Sequence, residues 1–493
     1  MDRPFKINLG ASWFSLPLNT INQALHATIH RIQKMLIIQI GQCGIQLGSS
    51  LSSFLASHIP PNNAAGGTHI PYPFTAYPQI LVDTEHKTWS SSVNSNDGFK
   101  KIVVDCGRIG RGNVWAYGYR TNVSQLEETV RKIVEKDAFC DGYEVYTILS
   151  MDRILTDSRF LLIHSIAGGT GSGLGSRVLT ILRDSFPTKP IMTLSVVPFL
   201  AGETPLQFYN AVLSLNALHC TADVIAWASN DDALWALKAN SNSASSHSLS
   251  LKKQQASTAS GKINVDMIND YIAHSVGNTL LPMIDPYFST SSTSSVYRYK
   301  RLKLYDIITS VAPMPSMKMT SFFSSYTSVL KTTKSFMEKT EWDYLANTLL
   351  SHIPKHTTLA KPKLLSSQLY VRGVPQPSNK ISPFEDYYPA VDKLLEKLPS
   401  STLYNPFPMD VIPSLALHPS HNKSMSLMAN SNLVLPHLEA ILDRSERMWE
   451  KGAYIGWYRR YWKIGGPVAV EIEDIMAESL ERCRSIVESY RDL

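Results

Sequence analysis

Apolar positions along this chain follow two rhythms. Short unbroken runs mark strands, and positions spaced at i, i+3 and i+4 mark helices. From Met35, Leu36-Ile37-Ile38-Gln39-Ile40 reads as a strand that stops at Gly41-Gln42-Cys43-Gly44, and Leu47, Leu51, Phe54 and Leu55 follow at helical spacing. Strand, glycine turn and helix is the layout of a phosphate site, since the turn exposes backbone N–H groups where the helix dipole favours an anion. It is equally the layout of an ordinary βα unit. A second run, Ile80-Leu81-Val82, ends in Asp83-Thr84-Glu85. Acids at a strand end suit a water-mediated Mg²⁺, or simply a solvated loop.

The strongest signal lies at 160–182. Phe160 to Ile166 reads as a buried strand. Ala167-Gly168-Gly169-Thr170-Gly171-Ser172-Gly173-Leu174-Gly175 then sets five glycines among nine residues, before Val178, Leu179 and Leu182 resume a helical face. Such a loop lets backbone approach a ligand closely, and Thr170 and Ser172 add hydroxyl donors. It has neither the Gly-Lys-Ser/Thr of a Walker loop nor the GxGxxG spacing of a dinucleotide site. A glycine-rich turn without a ligand is the competing reading. Thr193 to Val197 predicts a strand leading to Gly202-Glu203 and Gln207-Phe208-Tyr209-Asn210, and Asp223 to Ala228 another before Asn230-Asp231-Asp232. Alternating strands and helices predict an α/β fold: a mostly parallel, Rossmann-like sheet, with ligands beyond the strands' carboxyl ends, where all these loops fall.

Residues 239–262, rich in Ser, Ala and Asn, have no periodic apolar positions and read as a flexible surface insertion; Ser289–Ser295 reads as a loop. Ile268, Ile272, Val276 and Leu280 predict a central buried helix. Residues 297–430 mix short apolar runs with prolines, as a second α+β domain would. Leu438, Ile441, Leu442 and Trp449 predict one closing helix, and Ile472, Met476, Cys483 and Val487 another. The expected division is 35–262, 263–430 and 431–493. Residues 1–34 are read as a loosely attached, disordered extension; their few acids, with Arg3, Lys6, Arg31 and Lys34, also fit a transit peptide.

Composition narrows the class. With 493 residues there is room for two to four domains, and 44% apolar against 18% charged residues exclude a wholly disordered chain. A net charge of +6 is too dilute to argue for nucleic acid. No apolar run reaches the roughly 18 residues of a membrane span, so no membrane partner is expected. Five scattered cysteines without a CxxC pair support neither a disulfide framework nor a zinc ribbon, and suit a reducing compartment such as the cytoplasm.

These motifs together have a family likeness. Gly41-Gln42-Cys43-Gly44, Leu81-Val82-Asp83-Thr84-Glu85, Gly112-Asn113-Val114-Trp115-Ala116, the loop at 167–173 and Val371-Arg372-Gly373 occur in the order of the tubulin family. Within that family the chain resembles the delta-tubulins in Ala116-Tyr117-Gly118-Tyr119, Ala167, Gly202-Glu203 with Gln207, Ala273-His274 and Ser479-Leu480; epsilon-tubulin is the nearest rival. The resemblance implies a GTPase domain, a central helix, an intermediate domain and a C-terminal helical hairpin. It implies GTP/GDP and Mg²⁺ as cofactors, other tubulins (alpha/beta, or epsilon) and centriolar proteins as partners, and a place in the cytoskeleton at centrioles or basal bodies. Carried over by motif, Gly41, Gln42 and Cys43 would touch the phosphates and Gln46 would lie near the base. Asp83 and Glu85 would orient Mg²⁺ through water, and Asn113 would cap the terminal phosphate. Ser165, Ala167, Gly168, Gly169, Thr170, Gly171, Ser172 and Gly173 would cradle the phosphates. Glu203 would lie near the ribose, with Asp231 and Asn269 at the guanine edge. Asp306, a surface aspartate on the plainer reading, matches the acid that alpha-type subunits contribute to a neighbour's site.

The sequence also departs from the family. Asp231 stands where an asparagine is usual, with Asn230 one position early. Val265 replaces a stacking aromatic, which implies weaker or less selective nucleotide binding, and the altered base contacts together leave room for a protein that binds nucleotide without hydrolysing it. Ile45 replaces an asparagine in the first loop, and Arg301 and Lys303 alter the approach to Asp306. Extra residues at 143–159, charged at Asp152, Arg153, Asp157 and Arg159, must loop out before the strand or stem from a misplaced gene boundary.

Overall fold

A computed structural model describes residues 6–9, 12–15, 35–58, 78–85, 92, 97–107, 109–140, 159–202, 204–247, 263–284, 304–328, 338–355, 362–373, 387–400, 405–414, 421–464 and 469–493. β1 (Lys6–Leu9) and β2 (Ser12–Ser15) pair antiparallel as a hairpin outside the main sheet. The remainder of the expected extension, the stretch 143–158, the loop at 289–295, Arg301, Lys303 and Glu203 lie outside the described residues.

The main sheet has ten strands. Six parallel strands come first: β3 (Met35–Ile40), β4 (Gln79–Asp83), β5 (Lys101–Asp105), β6 (Arg159–Ser165), β7 (Ile191–Val197) and β8 (Val224–Ser229). Their order across the sheet is β8-β7-β6-β3-β4-β5. The chain runs from β3 to one edge, returns to the other side of β3 and continues through β6 to β8. Connections leaving β3 and β6 therefore diverge, which makes a topological switch point between them; open α/β sheets bind ligands at such points.

Both faces are covered, so the strands are apolar on both sides, as parallel strands require. Leu36, Ile38 and Ile40 enter one core with α2 (Trp115–Tyr119), α3 (Ser124–Cys140), α4 (Gly175–Ser185) and α5 (Gln207–Thr221). Met35 and Ile37 enter the opposite core with α1 (Gly41–Ser57), α6 (Asn230–His247) and α7 (Val265–Ile284). The predicted seam of α7 holds, with Ile268, Ile272, Val276 and Leu280 all buried. α8 (Leu304–Val311) closes this second core through Leu304, Ile307 and Val311.

β9 (Met319–Ser328) continues the sheet by pairing parallel with β8 at Ile225↔Met319 and Ala226↔Thr320. β12 (His421–Ser431), β10 (Leu364–Arg372) and β11 (Met409–Ser414) complete it, with β9–β12 and β12–β10 antiparallel. α9 (Glu338–His352) and α10 (Tyr388–Lys397) pack here on a third core that includes Trp342, Leu345, Tyr387 and Leu394. This segment thus has a core of its own while sharing one sheet with the first half. α11 (Leu435–Glu450), α12 (Ile455–Trp462) and α13 (Ile472–Arg491) close the chain against α5 and α2. Tyr490 pins α13: its hydroxyl accepts from Met319 N–H at 2.9 Å and lies 3.1 Å from Asn430 Oδ1.

Two expectations need correction. α6 runs through His247, so the flexible stretch expected from Ala239 begins as helix; the alanines interspersed among its serines and asparagines keep helix formation affordable when the first two turns are docked. Arg159, expected in a loop, instead opens β6 opposite Met35 and is buried. Ile45, on α1, is fully buried.

α1 crosses β6 so closely that a Cβ on Gly44 would stand 2.4 Å from the Ile163 carbonyl oxygen. Gly44→Ala should therefore cost about 1–3 kcal/mol. Gly112, at φ +55° with nothing within 4 Å of its would-be Cβ, should lose only about 1 kcal/mol on change to Ala. Urea midpoints of the two variants decide this; a Gly44→Ala protein as stable as wild type contradicts the close crossing.

Candidate functional site

The loops after β3 and β6 meet at the switch point. Gly41, at φ +73°, lets β3 turn directly into α1, and a Cβ there would lie 3.1 Å from Gly171 N. Gly171 in turn leaves only 2.9 Å to the Ser165 carbonyl oxygen. After Ser165 the chain passes through Ala167 and Gly168 into a π-helical turn, Gly169–Leu174, which feeds α4. Wide π turns recur at functional sites because they open the backbone. Gly168 has nothing within 4 Å of its would-be Cβ, so one side of this turn is open.

Glycine is obligatory for a second reason. α2 lies against the turn, and a Cβ on Gly118 would come 2.0 Å from the Gly169 carbonyl oxygen and one on Gly173 2.1 Å from that of Trp115. The turn is braced from within as well. Ser172 is fully buried, its hydroxyl donates to Gly168 O, and its own carbonyl accepts from Ser176 Oγ at 2.8 Å. Ser165 Oγ accepts from Ala167 N–H at 3.2 Å. Ser172 is thus a bracing residue in this structure, whereas Thr170 faces Thr84, hydroxyl to hydroxyl, at 3.1 Å.

Below the turn, His164 joins it to the sheet. Its Nδ1–H donates to Gly171 O at 3.0 Å, and Nε2 lies 2.9 Å from the Ser195 hydroxyl, which donates to it. Burial pushes this imidazole down to about 4, so it stays neutral with one nitrogen donating and the other accepting.

The acids sit where strand β4 ends. Asp83 is buried and accepts from Thr84 N–H at 2.6 Å, opposite Asp105 on β5. Glu85 reaches across, with Oε1 2.0 Å from where a Gly110 Cβ would stand. Among the described residues no group of three or more His, Cys, Asp or Glu forms a metal cage. Two carboxylates near an open glycine turn have the chemistry to hold a cation through water, with Asp83 and Glu85 in an outer role. Cys106, next to Asp105, is pushed up to about 11 by burial first and by that aspartate second, which leaves it a thiol.

The sequence singled out Asn210 only as part of a motif, yet it ties the site together. It is fully buried. Its Nδ2 donates to Asn113 O at 2.8 Å and Ala167 O at 2.6 Å, and its Oδ1 accepts from Trp115 N–H at 2.9 Å and Tyr458 O–H at 2.6 Å. Asn113 itself sits at φ +54°, a left-handed conformation that asparagine tolerates, with its side chain exposed. Gln42 and Gln46 are both exposed one turn apart on α1, and Cys43 is half-buried between them. The structure therefore brings Gly41, Asn113, Ser165 and Ala167–Gly173 together at the switch point, with Asp83 beside Thr84, which meets Thr170, and Glu85 against the loop at Gly110; Gln42 and Cys43 follow Gly41 on α1.

Three other candidates lie on further elements. Asp231 accepts from Leu200 N–H at 2.8 Å, tying the loops after β7 and β8 together. Asn269 is buried in the second turn of α7, and Val265 at its start is 60% exposed, with no ring there to cover a base. Asp306 lies on α8, which packs on β10 and β12 in the other half of the sheet.

Residues 34–237 match the family described as Tubulin/FtsZ family, GTPase domain. The chain is 25% identical to the tubulin delta chain of Canis lupus familiaris, over 92% of this chain and 99% of that one. The tubulin delta chain of Homo sapiens gives the same figures. The tubulin beta chain of Bombyx mori is 32% identical over 38% of this chain and 43% of its own length.

His164 makes stability pH-dependent with a defined sign. Its folded value, about 4, lies below the ordinary 6.5, so the unfolded chain binds the extra proton between these values. Stability should fall as pH drops through that window, by on the order of 3 kcal/mol from this group. Buried His352, also pushed down to about 4, adds a slope of the same sign. His164→Asn should then make the slope of unfolding free energy between pH 6.5 and 4 measurably shallower. An unaltered slope in urea titrations at stepped pH contradicts the assignment.

Proposed function

We propose that this chain, whose residues 34–237 match the GTPase domain of the Tubulin/FtsZ family, is a GTP-binding, delta-tubulin-like cytoskeletal subunit of centrioles and basal bodies. In this reading it acts in the assembly or stability of triplet microtubules, with other tubulins and centriolar proteins as partners. The observation that carries it is the meeting of Gly41 with Gly171 at the sheet's switch point, in a chain matched to tubulin delta chains over nearly their full length. Gly41, Gln42, Cys43, Ser165 and Ala167–Gly173 hold the nucleotide phosphates, Asn113 caps the terminal one, and Gln46, Asp231 and Asn269 face the base. Mg²⁺, oriented by Asp83 and Glu85 through water, would neutralise phosphate charge when bound.

Asp306 works at a distance in this scheme. It lies outside the cleft and serves the site of a neighbouring subunit, orienting the attacking water there. A second reading, a tubulin-fold interaction protein that binds GTP without turning it over, draws support from two observations. Val265 offers no stacking ring, and an Asp231 carboxylate oxygen is already engaged by Leu200 N–H.

Guanine nucleotide should be released from the purified protein on denaturation, and tagged protein should concentrate at centrioles in ciliated cells. With alpha/beta-tubulin present, Asp306→Asn should slow phosphate release at least tenfold if hydrolysis runs across the interface. Bound GTP with no phosphate release from either form favours the second reading, and a protein that carries no guanine nucleotide rules out both.

A further inference from the structure

The loop between β5 and α2 carries a cation at an unexpected place. Arg111 stands between Gly110 and Gly112, and its backbone presses on the phosphate turn. A Cβ on Gly169 would lie 2.7 Å from Arg111 O and 3.0 Å from Arg111 Cβ. The loop is closed by Val114 N–H donating to Arg111 O at 3.0 Å. Its guanidinium folds back 4.6 Å over the Tyr117 ring, and Nη2 donates to Cys106 O at 3.0 Å. Nε is buried with no hydrogen-bond partner among the described residues, and no carboxylate among them forms an ion pair with Arg111, although Glu85 packs on the adjoining Gly110. A guanidinium offers five donors in a flat fork. Here it is half-buried, with a carbonyl and a ring face as its partners, beside a turn whose open side begins at Gly168.

We propose that Arg111 binds the terminal phosphate of a nucleoside triphosphate in cis, giving this site a preference for tri- over diphosphate. The inference rests on the nucleotide reading of the cleft and adds a residue to it. The reasons are chemical. A planar fork matches phosphate oxygens better than it matches one carbonyl, and a terminal phosphate brings charge that the ring face lacks. Its own backbone already touches the turn, so the movement asked for is a rotation of the side chain away from Tyr117. The ring remains supported on its other side, since Tyr117 stacks on Tyr461 at 4.6 Å between centroids. Asn113, two residues on, is fixed through its carbonyl by Asn210, so the loop holds still while the arginine exchanges partners.

Titration of the full chain with fluorescent GTP and GDP, in the presence of Mg²⁺, tests this. Wild type should favour GTP. Arg111→Ala should lose about tenfold or more in GTP affinity with less than a twofold change for GDP, and Arg111→Lys should recover part of the difference. Arg111→Gln keeps the stem and a polar head without charge, and should behave as Arg111→Ala while guarding against a folding defect. Equal losses for both nucleotides would mean that Arg111 only shapes the loop, and the proposal fails. Unchanged affinities for both also overturn it. Wild type that binds neither nucleotide refutes the reading of the cleft itself, which is a separate result.

Discussion

The approach of Gly41 to Gly171 is the constraint around which the rest is arranged. After β3, a Cβ on Gly41 would stand 3.1 Å from Gly171 N, and after β6 a Cβ on Gly171 would stand 2.9 Å from the Ser165 carbonyl oxygen. Only glycine permits that, and only a switch point in a parallel sheet sends both connections away in opposite directions while their first residues touch. Given the contact, the other close fits follow. α1 must cross β6 at Gly44, α2 must lie on the turn at Gly118 and Gly173, and His164 must be small enough and neutral enough to fill the space beneath. The site is thus shaped by what cannot be there, namely side chains.

Much of this was legible in the chain. The five-glycine loop, the strand before it, the acids after β4 and the seam of α7 all follow from local pattern, because parallel strands and buried helices announce themselves by unbroken or periodic apolar residues. The second half of the sheet did not announce itself. Its strands carry serine where apolar residues would show a pattern. Ser324, Ser325, Ser366, Ser367 and Ser426 are buried, and their hydroxyls are satisfied by one another or by carbonyls, such as Ser324 to Ser426 at 2.8 Å and Ser366 to Val311 O at 2.8 Å. Burial there depends on partners far away in sequence, which no local window contains. The same holds for Asn210 and Arg159. An asparagine in a helix and an arginine after a charged stretch look like surface residues until the tertiary neighbours are known.

The closing helices are held mainly by shape. Between them, Arg484 pairs with Glu446 and Arg491 with Glu439, yet these arginines are about half exposed, and such pairs contribute little each. The apolar seam of α13 and the buried Tyr490 hydroxyl supply the attachment. α12 adds a ring-on-ring contact with α2, Tyr461 on Tyr117 and Trp462 near Trp115, and so places aromatic surface behind the helix that lies on the glycine turn.

Through Tyr458, α12 also completes the hydrogen bonding of Asn210. That one amide is therefore assembled from residues at 113, 167 and 458. On a ribosome the chain emerges from its amino end, so the cleft's loops are made early and their tie is made late. Residue 458 follows residue 210 by 248 positions. The nascent protein must therefore carry its glycine turn without this last partner of Asn210 while a further 248 residues are added, and chaperones that meet it during that time meet the turn before its final brace.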